Sequence, residues 1–211
     1  MGSNEEMIQL LYGQGYADDR VAKAMEKVPR ELFVPSEHAR SAYSDTPLPI
    51  GFGQTISAPS IVAFMSKSLD VQEGMKILEI GSGSGYQAAI LAELTGSSGA
   101  VYTVERISEL IELAKANVEK AGYANVKFIE GDGTKGYVQE APYDRIIVTA
   151  ASPSIPQPLI DQLKDKGKLI IPVGSRIFQD LELVVKTRFG EETSNLMPVV
   201  FVPLIGEFGY K

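Results

Sequence analysis

Lys76-Ile77-Leu78-Glu79-Ile80-Gly81-Ser82-Gly83-Ser84-Gly85 decides the fold, because it runs from a buried-strand pattern into a glycine loop that opens a helix. Ile77, Leu78 and Ile80 are the branched apolar residues a central parallel strand carries, and Tyr86 to Leu94 reads as a helix with an apolar stripe. Glycines between the two allow a tight turn and let a ligand approach the backbone closely. This layout predicts a nucleoside-bearing cofactor above the loop.

Gly81-x-Gly83-x-Gly85, with Glu79 two residues before the first glycine, resembles motif I of the Rossmann-like methyltransferases that use S-adenosylmethionine. Gly83-Ser84-Gly85-Tyr86-Gln87-Ala88 also satisfies the dinucleotide pattern GxGxxA, so a nicotinamide or flavin enzyme is a rival reading. The residues downstream favour the methyltransferase. Ala100 to Val104 reads as a second strand ending on Glu105, about twenty residues after Gly85, where an acid can accept hydrogen bonds from both ribose hydroxyls. Val126 to Ile129 then runs into Glu130-Gly131-Asp132-Gly133, which places Asp132 to accept a hydrogen bond from the exocyclic amine of adenine. A single Asp beside Gly is more often a cap or a loop charge. Three sites at successive strand ends are harder to explain that way.

The chain has 211 residues, 44% of them hydrophobic, enough for one substantial core. Its net charge of −7 argues against a broad phosphate-binding face and so against a nucleic-acid partner. With no cysteine and a single histidine, His38, any metal would need carboxylates alone, and no metal is expected. A basic-then-apolar leader is missing and no stretch approaches the ~18 apolar residues of a membrane span, so the expectation is a cytoplasmic protein away from membranes.

Helical patterns cover Glu5 to Leu11 and Asp18 to Val28. Pro29 to Pro59 holds five prolines and reads as ordered but irregular structure, of the kind that forms lids. Ser57-Ala58-Pro59 opens a helix through about Leu69, with Ser57 or Ala58 near the cap. From Lys76 onward strands and helices alternate: strands to Ile80, Val104 and Ile129, then Tyr143 to Thr149, a helix from Pro156 to Leu163, and a strand from Lys168 to Val173. Leu181 to Thr187 and Leu196 to Val202 are strand-like with no helix between them. The predicted fold is therefore α/β: a mostly parallel, Rossmann-like seven-stranded sheet with an antiparallel edge hairpin and an N-terminal helical, irregular extension. One domain is expected, with residues 1–57 as extension and active-site loop and 58–211 as core. The chain ends at Lys211, soon after Val202 to Gly206, so the acceptor groove is expected to be short there or completed by a neighbouring subunit.

Gln54-Thr55-Ile56-Ser57-Ala58-Pro59, Glu79 to Tyr86, Gly131-Asp132-Gly133, Ala141 to Ala151 and Phe201-Val202-Pro203-Leu204 resemble, in order and spacing, the protein-L-isoaspartate O-methyltransferases. Pro29 to Pro35 is similar to the segment that precedes the active loop in that family. The resemblance covers essentially the whole chain. It implies methyl transfer from S-adenosylmethionine to the α-carboxylate of an isoaspartyl residue, or the β-carboxylate of a D-aspartyl one, in damaged proteins. The ester then closes to a succinimide, whose hydrolysis returns some aspartate, and S-adenosylhomocysteine is the other product.

On that resemblance Ser57 is the catalytic candidate and Thr55 its companion donor, both orienting the acceptor. The cofactor set is Gln54, Ile56, Glu79, Gly81, Ser82, Gly83, Gly85, Glu105, Arg106, Asp132 and Gly133. Gly81, Gly83 and Gly85 are assigned to the methionine moiety, Glu105 to ribose, and Asp132 with Gly133 to adenine. Glu79 is assigned to the loop or the methionine ammonium, and Arg106 to the flank of the adenosine. No general base is required, because an acceptor carboxylate of pKa about 4 is already ionised. The rivals are another S-adenosylmethionine-dependent methyltransferase, acting on a small molecule or nucleic acid, and a non-catalytic adenosyl-binding module. Thr149-Ala150-Ala151-Ser152-Pro153, where amino-group methylation would want Asn-Pro-Pro-Tyr, counts against the first. The assembly expected is a monomer or weak homo-oligomer.

Overall fold

Strand β3 (Lys76–Ile80) lies at the centre of the computed structural model, which describes residues 2–211. Around it run β4 (Ala100–Glu105), β5 (Val126–Glu130), β6 (Tyr143–Val148), β7 (Leu163–Gly174), β8 (Gln179–Thr187) and β9 (Gly190–Val199). The sheet has seven strands in the order β5-β4-β3-β6-β7-β8-β9. Its first five members are parallel and the last two pairings antiparallel, as the sequence predicts.

The register is what builds the site. Ile80 stands level with Val104 and Val148, and Val104 with Ile129. The carboxyl ends of four strands are therefore flush, and Gly81, Glu105, Glu130 and Thr149 emerge side by side. The chain leaves β3 for β4 and β5 on one side and returns to β6 on the other, which makes this edge the switch point where α/β folds bind ligands.

The period of two in β3 splits its side chains between two apolar clusters, Ile77 facing one and Leu78 with Ile80 the other. Helix α4 (Tyr86–Thr95) buries every residue but Glu93, because it lies between the sheet and the N-terminal helices. Each of Ile90 and Leu91, fully buried, contributes about 1.5–3 kcal/mol. Helices α1 (Asn4–Gly13) and α2 (Asp19–Lys27) share that cluster through Met7, Leu11, Val21 and Met25. Asp18 caps α2, accepting from Val21 N at 2.9 Å.

Several sequence expectations need correction. The proline-rich segment before Pro59 contains two 3-10 turns, Arg30–Phe33 and Ser36–Ser41, and a small antiparallel hairpin of β1 (Leu48–Gly51) and β2 (Gln54–Ile56). Its turn is made by Gly51, Phe52 and Gly53, all at positive φ (92°, 53° and 70°), and Pro49 is tolerated because it points outward. At the far edge β9 begins at Gly190, so the charged run Glu191-Glu192 lies within the strand and Phe201-Val202 beyond it. An edge strand shows one side to solvent and tolerates charge, which the apolar pattern of Leu196 to Val202 concealed. Strand β7 also starts earlier than Lys168, and α6 is shortened to Gln157–Asp161.

Candidate active site

Three adjoining compartments follow the carboxyl ends of the strands, and Thr55 and Thr149 line all of them. The first is bounded by Ile80, Gly81 and Gly83, by Val104 to Ile107, by Gly133 and by Val202 to Ile205. Gln54 and Thr55 close it from the hairpin. In the second, Ile56 and Ser57 face Gly81 to Ser84 and Tyr86. The third opens from Thr55 and Ser57 toward Pro47, Ile61 and Val199 to Val202.

Glu105 ends β4 inside the first compartment. One carboxylate oxygen accepts from Arg106 N (2.9 Å) and Ile107 N (3.1 Å), the other from Gly83 N (3.3 Å). These bonds tie the strand end to the glycine loop and fix the acid where it can accept from a pair of vicinal hydroxyls. Arg106 is exposed at the compartment rim.

Gly81 is required by close approach: a Cβ there would meet Thr149 Oγ1 at 2.4 Å. That hydroxyl bonds Gly81 O (2.8 Å) and Ile80 O (3.0 Å), so β6 grips the loop through one side chain. Gly83, where a Cβ would meet only Ile50 Cδ1 at 3.5 Å, borders both the first and second compartments. Ser82 and Tyr86 line the second compartment, and their buried hydroxyls have no partner in the protein. A pocket lined by residues with orphan hydroxyls, beside bare loop backbone, fits the polar end of an amino-acid-bearing ligand.

Three of the expected residues lie outside the linings of the three compartments. Gly85 turns away from the cleft, its Cα facing α5 (Ser108–Lys120), where a Cβ would meet Val118 Cγ2 at 2.9 Å and Ala114 O at 3.0 Å. Its missing Cβ is required by helix packing. Glu79 shares the buried face of Ile77, has no exposure, and neither carboxyl oxygen finds a partner. Burial pushes its pKa up to about 8, with Thr103 opposing and the charge of Glu105 adding to the rise. It lies within the sheet below the loop and lines none of the compartments.

Asp132 is likewise absent from the cleft wall. One of its oxygens accepts from Thr134 N (2.9 Å) and Oγ1 (2.6 Å), the other from Glu207 N (2.8 Å). Burial pushes this carboxyl up, but those bonds and Lys135 outweigh it and hold the pKa below the usual range. Asp132 thus latches the C-terminal loop whose residues 202–205 wall the first compartment, while its neighbour Gly133 does face the cavity.

Ser57 is half-buried between the second and third compartments, and Thr55 is more exposed. Ser57 is not the cap of α3 (Pro59–Leu69), which has Ala58 at that position and no capping side-chain bond from it. Asp45 Oδ1 instead binds Ser60 N at 2.9 Å. A carboxylate of the chain itself therefore already satisfies a backbone amide at the helix start. His38 lies away from the cleft, in a groove beside Pro49 and Asn117.

Comparison with known proteins fixes the family. The profile of the protein-L-isoaspartate(D-aspartate) O-methyltransferases matches residues 2–209. The chain belongs to that family. It is 54% identical to the protein-L-isoaspartate O-methyltransferase of Hyperthermus butylicus, across 99% of this chain and 91% of that one. With the Methanothrix thermoacetophila enzyme of the same name the identity is 56%, across 98% and 97%. Among solved structures, a Plasmodium falciparum protein assigned as a protein-L-isoaspartate O-methyltransferase, in complex with S-adenosyl-L-homocysteine, superposes with a TM-score of 0.87. Its identity is 28%, across 97% of this chain and 99% of that one. Family membership removes the dinucleotide rival.

Sequence reasoning missed four parts of this isoaspartyl methyltransferase site. Thr149 had a usable signal, since it directly follows the strand beside β3 and sheet topology places it at the switch point. Val202 to Leu204 carry part of the family resemblance, yet nothing in their residue types puts them, or Ile205, in the cavity wall. Tyr86 and Asp45 carried no local signal, because each is brought to the site by packing alone.

Proposed function

We propose that this protein transfers a methyl group from S-adenosylmethionine to the free carboxylate of L-isoaspartyl residues, and of D-aspartyl residues, in damaged proteins and peptides. The observation that carries the residue assignment is the continuity of the cleft. Thr55 and Thr149 run through all three compartments, so a ligand against the glycine loop and one against Ser57 would share a wall. When bound, S-adenosylmethionine supplies an electrophilic methyl group. Glu105 takes the ribose hydroxyls, with Arg106, Gly133, Gln54 and the 202–205 segment around the base. Gly81, Ser82 and Gly83 hold the amino-acid end, and Ile56 closes over it.

Thr55 and Ser57 orient the acceptor carboxylate with their hydroxyls. No base is needed, since that carboxylate is ionised at neutral pH, and cleft-lining histidine or lysine is indeed absent among the described residues. Rate enhancement then rests on placement and water exclusion, and placement alone can be worth roughly 7–11 kcal/mol. The β1–β2 hairpin supplies the cover.

The charge of −7 supports a polypeptide acceptor over nucleic acid. Among the described residues no helix is long and apolar enough to cross a membrane. The same reading places the reaction in the cytoplasm, carried out by a monomer or weak homo-oligomer.

Radiolabelled methyl transfer to an isoaspartyl peptide and to its aspartyl isomer tests the proposal. Label should enter the first peptide alone; equal labelling would refute the selectivity. Ser57→Ala should lower kcat far more than it weakens S-adenosylhomocysteine binding by calorimetry, and an unchanged kcat would remove Ser57 from the mechanism.

A further inference from the structure

Arg30 is a long cationic side chain with no exposed surface. Its guanidinium makes no ion pair with any carboxylate among the described residues. All three of its hydrogen bonds go to backbone carbonyls: Nε to Ala42 O (2.8 Å), Nη2 to Thr46 O (3.2 Å) and Nη1 to Ser57 O (2.6 Å). One face of the guanidinium stands 5.5 Å from the ring centroid of Tyr86, the residue that opens α4 directly after the glycine loop. A buried cation with no carboxylate within ion-pair distance, and only the charge of Asp45 acting on it from farther off, is costly, and such a group can serve to fix a geometry. Here the fixed point is the residue that bears the candidate hydroxyl.

Ser57 occupies a connector with no ladder of its own, between the end of β2 at Ile56 and the start of α3 at Pro59. Two contacts from the preceding loop hold that connector: Arg30 on the Ser57 carbonyl, and Asp45 on Ser60 N three residues later. The planar fork of arginine matches three carbonyls arriving from separate directions, which the single ammonium of lysine cannot do in the same geometry.

We propose that Arg30 is a positioning residue for methyl transfer: it sets the backbone at Ser57, and through it the angle at which the hydroxyl meets the acceptor carboxylate. The proposal rests on the assignment of Ser57 as the orienting hydroxyl. It also accounts for the side chain being sealed off. Transfer joins an anionic oxygen to a cationic donor, so charge disappears on the way to the transition state. A cation touching the acceptor would hold the ground state more tightly than the transition state. With its three bonds committed to carbonyls, Arg30 positions the hydroxyl without contacting the carboxylate.

A double-mutant cycle over Arg30→Lys and Ser57→Ala tests this. Steady-state kcat and KM for an isoaspartyl peptide are measured per S-adenosylhomocysteine-binding site, so that unfolded protein is not counted. Arg30→Lys is expected to lower kcat on the order of tenfold to a hundredfold, with S-adenosylhomocysteine affinity changed less than about twofold. Added to Ser57→Ala, it should lower kcat no further. Multiplicative effects in the double variant, or equal loss of kcat and of ligand affinity in the single one, would overturn the proposal by giving Arg30 a purely structural part. An unchanged kcat in Ser57→Ala alone would instead overturn the reading of Ser57. If Arg30→Lys does not fold, Arg30→Gln, which buries no charge, carries the same cycle; failure of both to fold would make Arg30 a folding residue and also defeat the inference.

Discussion

Replacing Glu79 by Gln should stabilise this protein at neutral pH, and increasingly so as pH rises. Glu79 has no exposed surface, both of its oxygens are orphaned, and burial raises its pKa from 4.5 to about 8. A carboxyl whose pKa is higher folded than unfolded contributes stability fully present below the unfolded value and lost as pH climbs through the folded one. The window here runs from about pH 4.5 to about pH 8. At 1.36 kcal/mol per unit, the wild type loses about 3 kcal/mol by pH 7 relative to acid conditions, a large share of the 5–15 kcal/mol typical of a domain. Glutamine has the same shape and no proton to lose. Urea unfolding of both proteins at pH 5, 6, 7 and 8 should show a gap in favour of Glu79→Gln that widens by about 3 kcal/mol across the series. A gap constant with pH would show that Glu79 titrates alike in the folded and unfolded chains, and the argument from its burial would fail. Comparison with the variant matters because Asp132 and Asp144, both held low, change stability in the opposite sense at more acid pH.

Gly85→Ala, at φ +87° and facing Val118 and Ala114, should cost about 1–3 kcal/mol of stability, while the folded fraction keeps its S-adenosylhomocysteine affinity. A weakened affinity with unchanged stability would return Gly85 to the ligand. Asp45→Ala removes the bond to Ser60 N and should lower stability by about 0.5–2 kcal/mol, seen as an earlier thermal transition, and an unshifted transition would show that α3 needs no such cap. Asp132→Ala frees the C-terminal loop: hydrogen exchange at Glu207 should accelerate and S-adenosylhomocysteine binding weaken together. Weaker binding with unaltered exchange would favour direct contact with adenine.

Much of the fold is legible in the residue types alone. The apolar alternation of Ile77 to Ile80, the glycines after it and the apolar helix from Tyr86 each express a local rule, and local rules leave residue-type patterns. Glu105 is equally legible, because a strand of known length fixes where its last residue emerges. The hairpin Leu48–Ile56 is hidden because Pro49, Gly51 and Gly53, read singly, signal irregular chain, although alternating burial and a left-handed turn organise the segment into strands. Asp132 is legible in its place just after a strand end, but its bonds are not: one oxygen accepts from nearby Thr134 and the other from backbone at the far end of the chain.

The sequence by itself determined the order of the seven strands of the main sheet and the helices between them, the glycine loop, and the family to which the chain belongs, since all of these rest on residue types at fixed short spacing. Only the tertiary structure decided which side chains hold the site in shape. Arg30 grips Ser57 across 27 residues, Thr149 grips Gly81 across 68, and Asp132 reaches Glu207 across 75. In each case the partner is a backbone N–H or C=O, a group that every such residue carries. No pattern of amino-acid types announces those bonds, and the burial that makes Glu79 difficult to ionise arises only when the sheet and its helices close around it.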